Sequence, residues 1–210
     1  MINVNFPSMG SFVVFDTETT GLSYDDGAEV IELAAIKVNN GVIVDTFNTF
    51  VYPERGISLE AQRINNISAD MLINAPKMQV VLNNFMSFIQ NEVLVAHNAA
   101  FDLKFLNGYA RHFYGRQLSN NFLCTLEISR ELLPNQKHTL SSLVEYFGIS
   151  AINTHRALDD CRSTVGLLNC LNTLLMQSGN NMIQAGYVHK MSEFKSYDKK
   201  MSDYYKNRRK

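Results

Sequence analysis

Residues 12–22 read FVVFDTETTGL, an apolar run that ends in two acidic residues, Asp16 and Glu18. The run predicts a buried strand, and side chains two positions apart on a strand project from the same face. Thr17 is expected to point the other way and to leave its backbone near any ligand of the two acids. Unpaired charge at the edge of a core is costly, and oxygen ligation of Mg²⁺ or Mn²⁺ removes that cost. Two solvated acids at a strand end would give the same pattern.

A third acid, Asp102, lies in the segment LVAHNAAFDLKFL at residues 94–106. Residues 93–96 predict another buried strand, and Asp102 falls in the first turn of the helix that follows. The helix dipole alone also favours an acid at that place. His97 and Asn98 lie at the corner between strand and helix, with Asn98 as the expected cap. We expect both to shape the corner or to touch a substrate rather than to bind metal.

The segment THRALDDC at residues 154–161 adds His155 and Asp160. A histidine just before a helix can move towards an activated water and accept its proton, whereas Asp160 is held on the helix itself. Asp159 lies about 100° away around that helix, so one of the two neighbouring acids is expected to face the cleft. A surface histidine and a favourable helix start are the simpler explanation of this segment alone.

Taken together, the three segments place four carboxylates and one histidine in similar surroundings. Four acids gathered in one cleft repel one another strongly unless cations hold them. Two divalent metals beside a histidine with a near-neutral pKa suit the hydrolysis of phosphodiesters.

The remaining pattern predicts an α/β protein with a mixed central sheet flanked by helices. Strands are expected at residues 12–16, 30–38, 42–51, 93–96 and 122–125, with a hairpin at Asn39-Asn40-Gly41. Helices are expected at residues 72–89, from about 99, at 140–147 with Thr139 as cap, and at 157–176.

Composition indicates one domain of ordinary size, residues 1–178, followed by a short extension, residues 179–210. The chain has 210 residues, 46% of them apolar, and no apolar stretch of the ~18 residues that a membrane span needs. Its start lacks the basic and apolar blocks of a signal peptide. Three cysteines without a C-x-x-C pair fit a reducing compartment, and a cytoplasmic location is expected.

The extension differs in charge from the rest of the chain. Residues 190–210 carry eight Lys/Arg against three acids, whereas residues 1–189 carry 11 basic and 17 acidic residues. Apolar periodicity fades after Ser178, so a mobile tail or a segment ordered by a partner is expected. Its aromatic residues alternate with basic ones, which suits stacking on single-stranded nucleic acid or docking on a protein. A solvated tail without a specific role is the alternative.

The motifs FDTETTGL, HNAAFD and HRALDD, in this order, resemble the three exonuclease motifs of the DEDDh (DnaQ-like) 3′→5′ exonucleases. The resemblance covers roughly residues 10–178 and implies the ribonuclease H-like exonuclease fold. Within the family, the chain looks most like the proofreading epsilon subunit and the exonuclease domain of bacterial replicative polymerases.

The resemblance implies that two divalent cations, Mg²⁺ or Mn²⁺, are held by Asp16, Glu18, Asp102 and Asp160, with His155 as the general base. Substrate contacts are expected from Thr17, Thr19, Leu22 and His97, with Leu22 against a base. The implied activity releases nucleoside 5′-monophosphates from single-stranded or frayed DNA ends. The implied partners are nucleic acid 3′ ends, with DNA favoured over RNA, and a polymerase catalytic subunit that binds the tail.

Two alternatives stay open at this point. An RNA 3′-end-trimming exoribonuclease would use the same site, since the sequence does not indicate which groups meet a 2′-hydroxyl. A non-catalytic, polymerase-associated binding subunit would use the tail. The presence of all five catalytic positions argues against the second alternative.

Overall fold

The computed structural model describes residues 10–150 and 156–207, and for residues 204–207 the backbone alone. The strands are β1 (Ser11–Thr19), β2 (Val30–Asn39), β3 (Val42–Phe50), β4 (Val93–Ala96) and β5 (Phe122–Cys124). The helices are α1 (Leu59–Asn65), α2 (Ala69–Leu72), α3 (Met78–Ile89), α4 (Ala99–Tyr114), α5 (Thr125–Leu132), α6 (Leu140–Phe147), α7 (Ala157–Gln177) and α8 (Phe194–Asn207). A 3₁₀ turn, Met191–Glu193, precedes α8.

The five strands form one mixed sheet in the order β3-β2-β1-β4-β5. β1 pairs antiparallel with β2 and parallel with β4, while β2–β3 is antiparallel and β4–β5 is parallel. This is the predicted α/β architecture, and β1, which carries the DTE sequence, lies at its centre.

The predicted hairpin between β2 and β3 is confirmed. Asn40 and Gly41 both adopt positive φ, 47° and 79°, as a type I′ turn requires of its two central residues. Asn and Gly are the residues that reach this conformation at low cost, so the local sequence determines the register of the hairpin.

Helices cover both faces of the sheet. We call the face packed by α3, α4 and α8 the α4 layer, and the face packed by α6 and α7 the α7 layer. Each layer is a cluster of buried apolar side chains, and alternate residues of the central strand β1 point into one layer or the other.

Two predicted helices need comment. The helix expected at residues 72–89 begins later, as α3 at Met78, because residue 72 ends the separate helix α2 and residues 73–77 are not helical. Pro76 explains the break, since proline disfavours helical conformation in the residue before it. The helix over residues 140–147 is confirmed, with the Thr139 hydroxyl accepting a hydrogen bond from the backbone N–H of Ser142.

The described part of the tail differs from the expected mobile segment, because it packs on the core. His189 and Phe122 exchange two backbone hydrogen bonds of 2.8 Å at the β5 edge of the sheet. Apolar side chains of this segment are then buried in the α4 layer: Met191, Phe194, Tyr197 and Met201. Tyr187 is buried in the α7 layer, so these aromatic rings are not exposed for stacking on nucleic acid. A partner for the tail stays a prediction.

Among the described residues, no helix combines the length and the apolar character that a membrane crossing needs.

Candidate metal centre

β1 delivers two acidic side chains to the end of the α7 layer. Val14 packs in the α7 layer and Phe15 in the α4 layer. Because side chains alternate along a strand, Asp16 and Glu18 lie on the α7 side and Thr17 on the α4 side. The predicted geometry of the D-x-E motif is therefore confirmed.

Asp160, in the first turn of α7, joins these two acids. One carboxylate oxygen from each of Asp16, Glu18 and Asp160 lies within 4.8 Å of the other two. The neighbouring Asp159 instead pairs with Arg162, with 2.7 Å between its Oδ1 and the arginine Nη1. The expectation that one of the two consecutive acids faces the cleft is confirmed.

Asp102 approaches from the α4 side and is 3% exposed. Its Oδ1 accepts two hydrogen bonds from Thr17, one from the backbone N–H at 3.1 Å and one from the hydroxyl at 2.6 Å. Asp102 lies outside the group of three oxygens, but its charge raises the pKa of Asp16. Thr17 thus joins the two sides of the site, a contact that the sequence did not indicate.

The electrostatics of the acids reflect burial and mutual repulsion. Burial raises the pKa of Asp16 well above its ordinary value, and Asp102 and Glu18 raise it further. Burial, together with Asp160, raises the pKa of Glu18 to about 8. Burial also raises the pKa of Asp102 to about 7, although the hydrogen bonds from Thr17 lower it. These carboxylates ionise together at neutral pH when nearby positive charge compensates them.

The donor set fits divalent cations. Mg²⁺ and Mn²⁺ prefer carboxylate oxygens, and crowded acids with raised pKa values gain most from a bound cation. Asp16, Glu18 and Asp160 have the required proximity, and Asp102 adds a fourth carboxylate beside them. A cleft of about 320 Å³ between α6 and α7 opens next to Asp160 and gives access from solvent.

The corner between β4 and α4 is held by His97. Its Nδ1 lies 3.0 Å from the Thr125 hydroxyl and its Nε2 lies 2.9 Å from the backbone carbonyl of His138. Burial lowers the pKa of His97 to about 4. Asn98 occupies the N-cap position in a left-handed conformation, but its side chain makes no capping hydrogen bond. Both residues shape the corner, while substrate contact by His97 stays a prediction.

The loop after β1 carries the other residues expected to touch substrate. The Thr19 hydroxyl donates a hydrogen bond to the Gly21 carbonyl at 2.6 Å, and the Asn65 amide donates to the Thr19 carbonyl at 2.9 Å. Leu22 is 89% exposed, as an apolar side chain that meets a base would be before the substrate binds. Substrate binding by Thr19 and Leu22 stays a prediction.

Tyr24 anchors this loop to α4, a role that the sequence did not indicate. Its ring packs edge-on against Phe105 and Tyr109, with centroids 6.1 and 5.0 Å apart. The ring occupies the space beside Gly108, where a methyl group would approach its Cε1 to 2.5 Å. A glycine in the middle of a helix was the available signal, since such glycines often mark a close approach.

His155 lies outside the described residues. Arg156, the next residue, is described, and it forms an ion pair with the buried Glu32 of β2. The two residues are 124 positions apart, so the pair is a long-range contact.

Comparison with known proteins agrees with this geometry. The profile of the RNase_T exonuclease family matches residues 13–168. The epsilon subunit of DNA polymerase III from Aquifex aeolicus is 36% identical over 156 residues, which cover 74% of this chain and 77% of that protein. Exonuclease X, solved with 5′-overhanging duplex DNA, superposes with a TM-score of 0.66 and 28% identity, over 82% of this chain and 96% of the other. The chain belongs to the RNase_T exonuclease family, whose members are hydrolases.

A second group of relatives is much longer than this chain. The PolC-type DNA polymerase III of Caldanaerobacter subterraneus subsp. tengcongensis is 43% identical over 156 residues, 74% of this chain. The matched segment is 11% of that polymerase. This chain is therefore similar to polymerase III exonucleases, both as the epsilon type and as a segment within PolC.

Proposed function

We propose that this protein is a metal-dependent 3′→5′ exonuclease of proofreading type. It removes nucleoside 5′-monophosphates from single-stranded or frayed DNA ends. The observation that carries the proposal is the meeting of Asp16, Glu18 and Asp160 within 4.8 Å beside the buried Asp102.

The four acids have the roles of metal ligands in this proposal. Two divalent cations, Mg²⁺ or Mn²⁺, would supply charge neutralisation and Lewis acidity for phosphodiester hydrolysis. Thr17 orients Asp102 through its two hydrogen bonds. His155 accepts the proton of the attacking water as the general base, a contribution that is typically about 10²–10⁴-fold. Leu22, Thr19 and Thr17 receive the terminal nucleotide.

DNA is the proposed substrate because the names of the similar proteins refer to DNA. The epsilon-subunit and PolC-type relatives are DNA polymerase III components, and Exonuclease X was solved with duplex DNA. RNA trimming by the same site is the competing function, and the rates on matched DNA and RNA oligomers distinguish the two.

The test uses a 5′-labelled single-stranded DNA oligomer and an RNA copy, each with Mg²⁺ or Mn²⁺ and then with EDTA. We expect a ladder that shortens from the 3′ end, depends on metal and develops faster on DNA, with nucleoside 5′-monophosphates as products. Faster degradation of RNA would move the function to RNA processing.

Neighbouring acids provide a matched control. Asp160→Asn should abolish hydrolysis, whereas Asp159→Asn should leave it within about twofold of wild type, because the Asp159 carboxylate pairs with the largely exposed Arg162 and is not one of the three clustered acids. Equal activity of wild type and Asp160→Asn would point to a contaminating nuclease. Inactivity of the metal-loaded wild type on both substrates would favour the binding-subunit alternative.

We further propose a DNA polymerase catalytic subunit as partner, docked on the C-terminal segment. The buried aromatic residues of α8 are used by the fold, so a partner would meet its exposed face, which includes Lys195 and Lys199. The double variant Lys195→Glu/Lys199→Glu should weaken co-purification with the polymerase subunit while oligomer degradation stays normal. Undiminished co-purification would place the contact elsewhere.

A further inference from the structure

Glu32 is a buried acid in an otherwise apolar strand. It lies in β2, directly opposite Glu18 of β1 in the strand register, and is 1% exposed. A carboxylate in such a place needs partners for both oxygens, because burying an unpaired charge is costly. Its position beside Glu18 would also suit an additional metal ligand, so its partners decide its role.

Those partners are all on the protein. Arg156 donates from Nε to Oε2 at 3.0 Å and from Nη2 to Oε1 at 2.8 Å, a two-pronged ion pair. The backbone N–H of Ala157, the first residue of α7, donates to Oε2 at 3.3 Å. Both oxygens of Glu32 are thus directed at the start of α7 rather than at the acidic cluster.

Arg156 extends this link to the metal centre. It is the N-cap residue of α7, and its carbonyl accepts hydrogen bonds from the backbone N–H groups of Asp159 at 2.9 Å and Asp160 at 3.1 Å. Its guanidinium lies 5.0 Å from the ring centroid of Phe50 in β3. Contacts from β2 and β3 therefore hold Arg156, whose carbonyl accepts the hydrogen bonds of the first turn of α7.

We propose that Glu32 is a positioning residue that acts through Arg156. The pair holds the first turn of α7 so that the Asp160 carboxylate reaches Asp16 and Glu18. This inference rests on the proposed function, since it treats Asp160 as a metal ligand. The ion pair is worth more here than on a surface because both charges are fixed by two parallel hydrogen bonds.

The test compares Glu32→Gln, Arg156→Gln, the double variant and Arg156→Lys with wild type. Arg162→Gln is the matched control, since it breaks an exposed ion pair in the same helical turn. Three quantities are measured: kcat and KM on the DNA oligomer, the dissociation constant of Mn²⁺ by calorimetry, and the melting temperature. Kinetics are taken well below the lowest melting temperature.

We expect each single variant to weaken Mn²⁺ binding or kcat by about 10- to 100-fold, the usual effect of losing a residue that orients a metal ligand. KM should change less than about twofold, because neither side chain touches the nucleotide in this proposal. The double variant should lose no more than the worse single variant, since the two residues act as one unit. Arg156→Lys should lose less Mn²⁺ affinity or kcat than Arg156→Gln but more than wild type, and Arg162→Gln should match wild type.

Three results would overturn the inference. A lower melting temperature with normal kcat and Mn²⁺ affinity would make the pair merely structural. If the fold-losses of the two single variants multiply in the double variant, the two residues act separately. Weaker Mn²⁺ binding in Glu32→Gln but not in Arg156→Gln would make Glu32 a ligand. Failure of the proposed function can be told apart from failure of this inference. If the wild type does not hydrolyse DNA, the Mn²⁺ affinities of wild type and variants can still be measured and compared.

Discussion

Thr17 shows how a residue between two acids contributes to the site without binding metal. Its hydroxyl and backbone N–H both donate to Asp102, and these bonds favour the charged carboxylate. Asp102 can therefore ionise near pH 7 although it is buried. The ionised carboxylate is the form that binds a cation.

We expect Thr17→Val to weaken Mn²⁺ binding at pH 7 by roughly tenfold. Valine keeps the shape but removes the hydroxyl donor, so the pKa of Asp102 rises further above about 7. The deficit should shrink as the pH is raised, and calorimetric titrations at two pH values would measure it. Thr17→Ser keeps the hydroxyl and serves as control. Equal affinities for valine and serine variants would contradict the role assigned to this hydrogen bond.

The raised pKa values of the acids also predict how stability depends on pH. Folding raises the pKa of Glu18 from 4.5 to about 8 and that of Asp102 from 3.8 to about 7. A group whose pKa is raised by folding stabilises the folded state below its unfolded pKa, and this contribution is lost as the pH rises through its folded pKa. In EDTA the protein should therefore lose several degrees of melting temperature between about pH 5 and about pH 8.

Millimolar MnCl₂ should remove that decline, because cations bind the charged carboxylates of the folded state. Asp16→Asn should flatten the decline even in EDTA, since it deletes one repelling charge. The measurement is a set of thermal unfolding curves across this pH range. A melting temperature that rises with pH in EDTA would contradict the assignment.

Among the secondary-structure elements, α4 holds two parts of the site. Its first turn carries Asp102, and its middle receives Tyr24 from the loop that exposes Leu22. Gly108 makes this contact possible, since its missing side chain is the space that the Tyr24 ring fills.

Gly108→Ala should destabilise the protein although alanine is the better helix former. Helix propensity favours alanine by about 1 kcal/mol, whereas forcing Tyr24 aside costs about 1–3 kcal/mol. The displaced loop should also raise KM several-fold with little change in kcat. Denaturant unfolding and steady-state kinetics would measure both effects.

The double variant Tyr24→Ala/Gly108→Ala separates the two effects. With the ring removed, alanine at position 108 should be stabilising relative to Tyr24→Ala alone. If Gly108→Ala in the wild-type background is as stable as wild type with unchanged KM, the anchoring role is wrong.

Local signals predicted most elements and the placement of three acids. Strand alternation located Asp16 and Glu18 on one face, and helical geometry separated Asp160 from Asp159. The long-range contacts were beyond such signals. Thr17 meets Asp102 across 85 positions and Glu32 meets Arg156 across 124, and no periodicity in the sequence indicates which buried polar groups pair.

The whole molecule includes the C-terminal segment, which sequence reasoning separated from the domain. Its polar and basic character concealed a helical spacing of apolar residues at Met191, Phe194, Tyr197 and Met201. Those side chains complete the α4 layer, and the backbone of His189 covers the β5 edge. Charge was the more visible signal, but apolar periodicity was the one that determined the structure.

Phe194→Ala should lower the free energy of unfolding by about 3–5 kcal/mol, as for a buried phenylalanine in any core. The neighbouring Lys195→Ala, on the exposed side of α8, should change it by less than about 0.5 kcal/mol. Denaturant unfolding of both variants is the measurement. Equal stability of the two would mean that the segment contributes nothing to the core.

The carboxylate cluster draws on β1, α4 and α7, which are far apart along the chain. During translation, a growing chain that has reached α4 holds Asp16, Glu18 and Asp102 but neither Asp160 nor the arginine that pairs with Glu32. The site is therefore incomplete until α7 has left the ribosome and packed on the sheet. The order of the elements along the chain thus keeps the acids of the site apart until its last ligand-bearing helix is made.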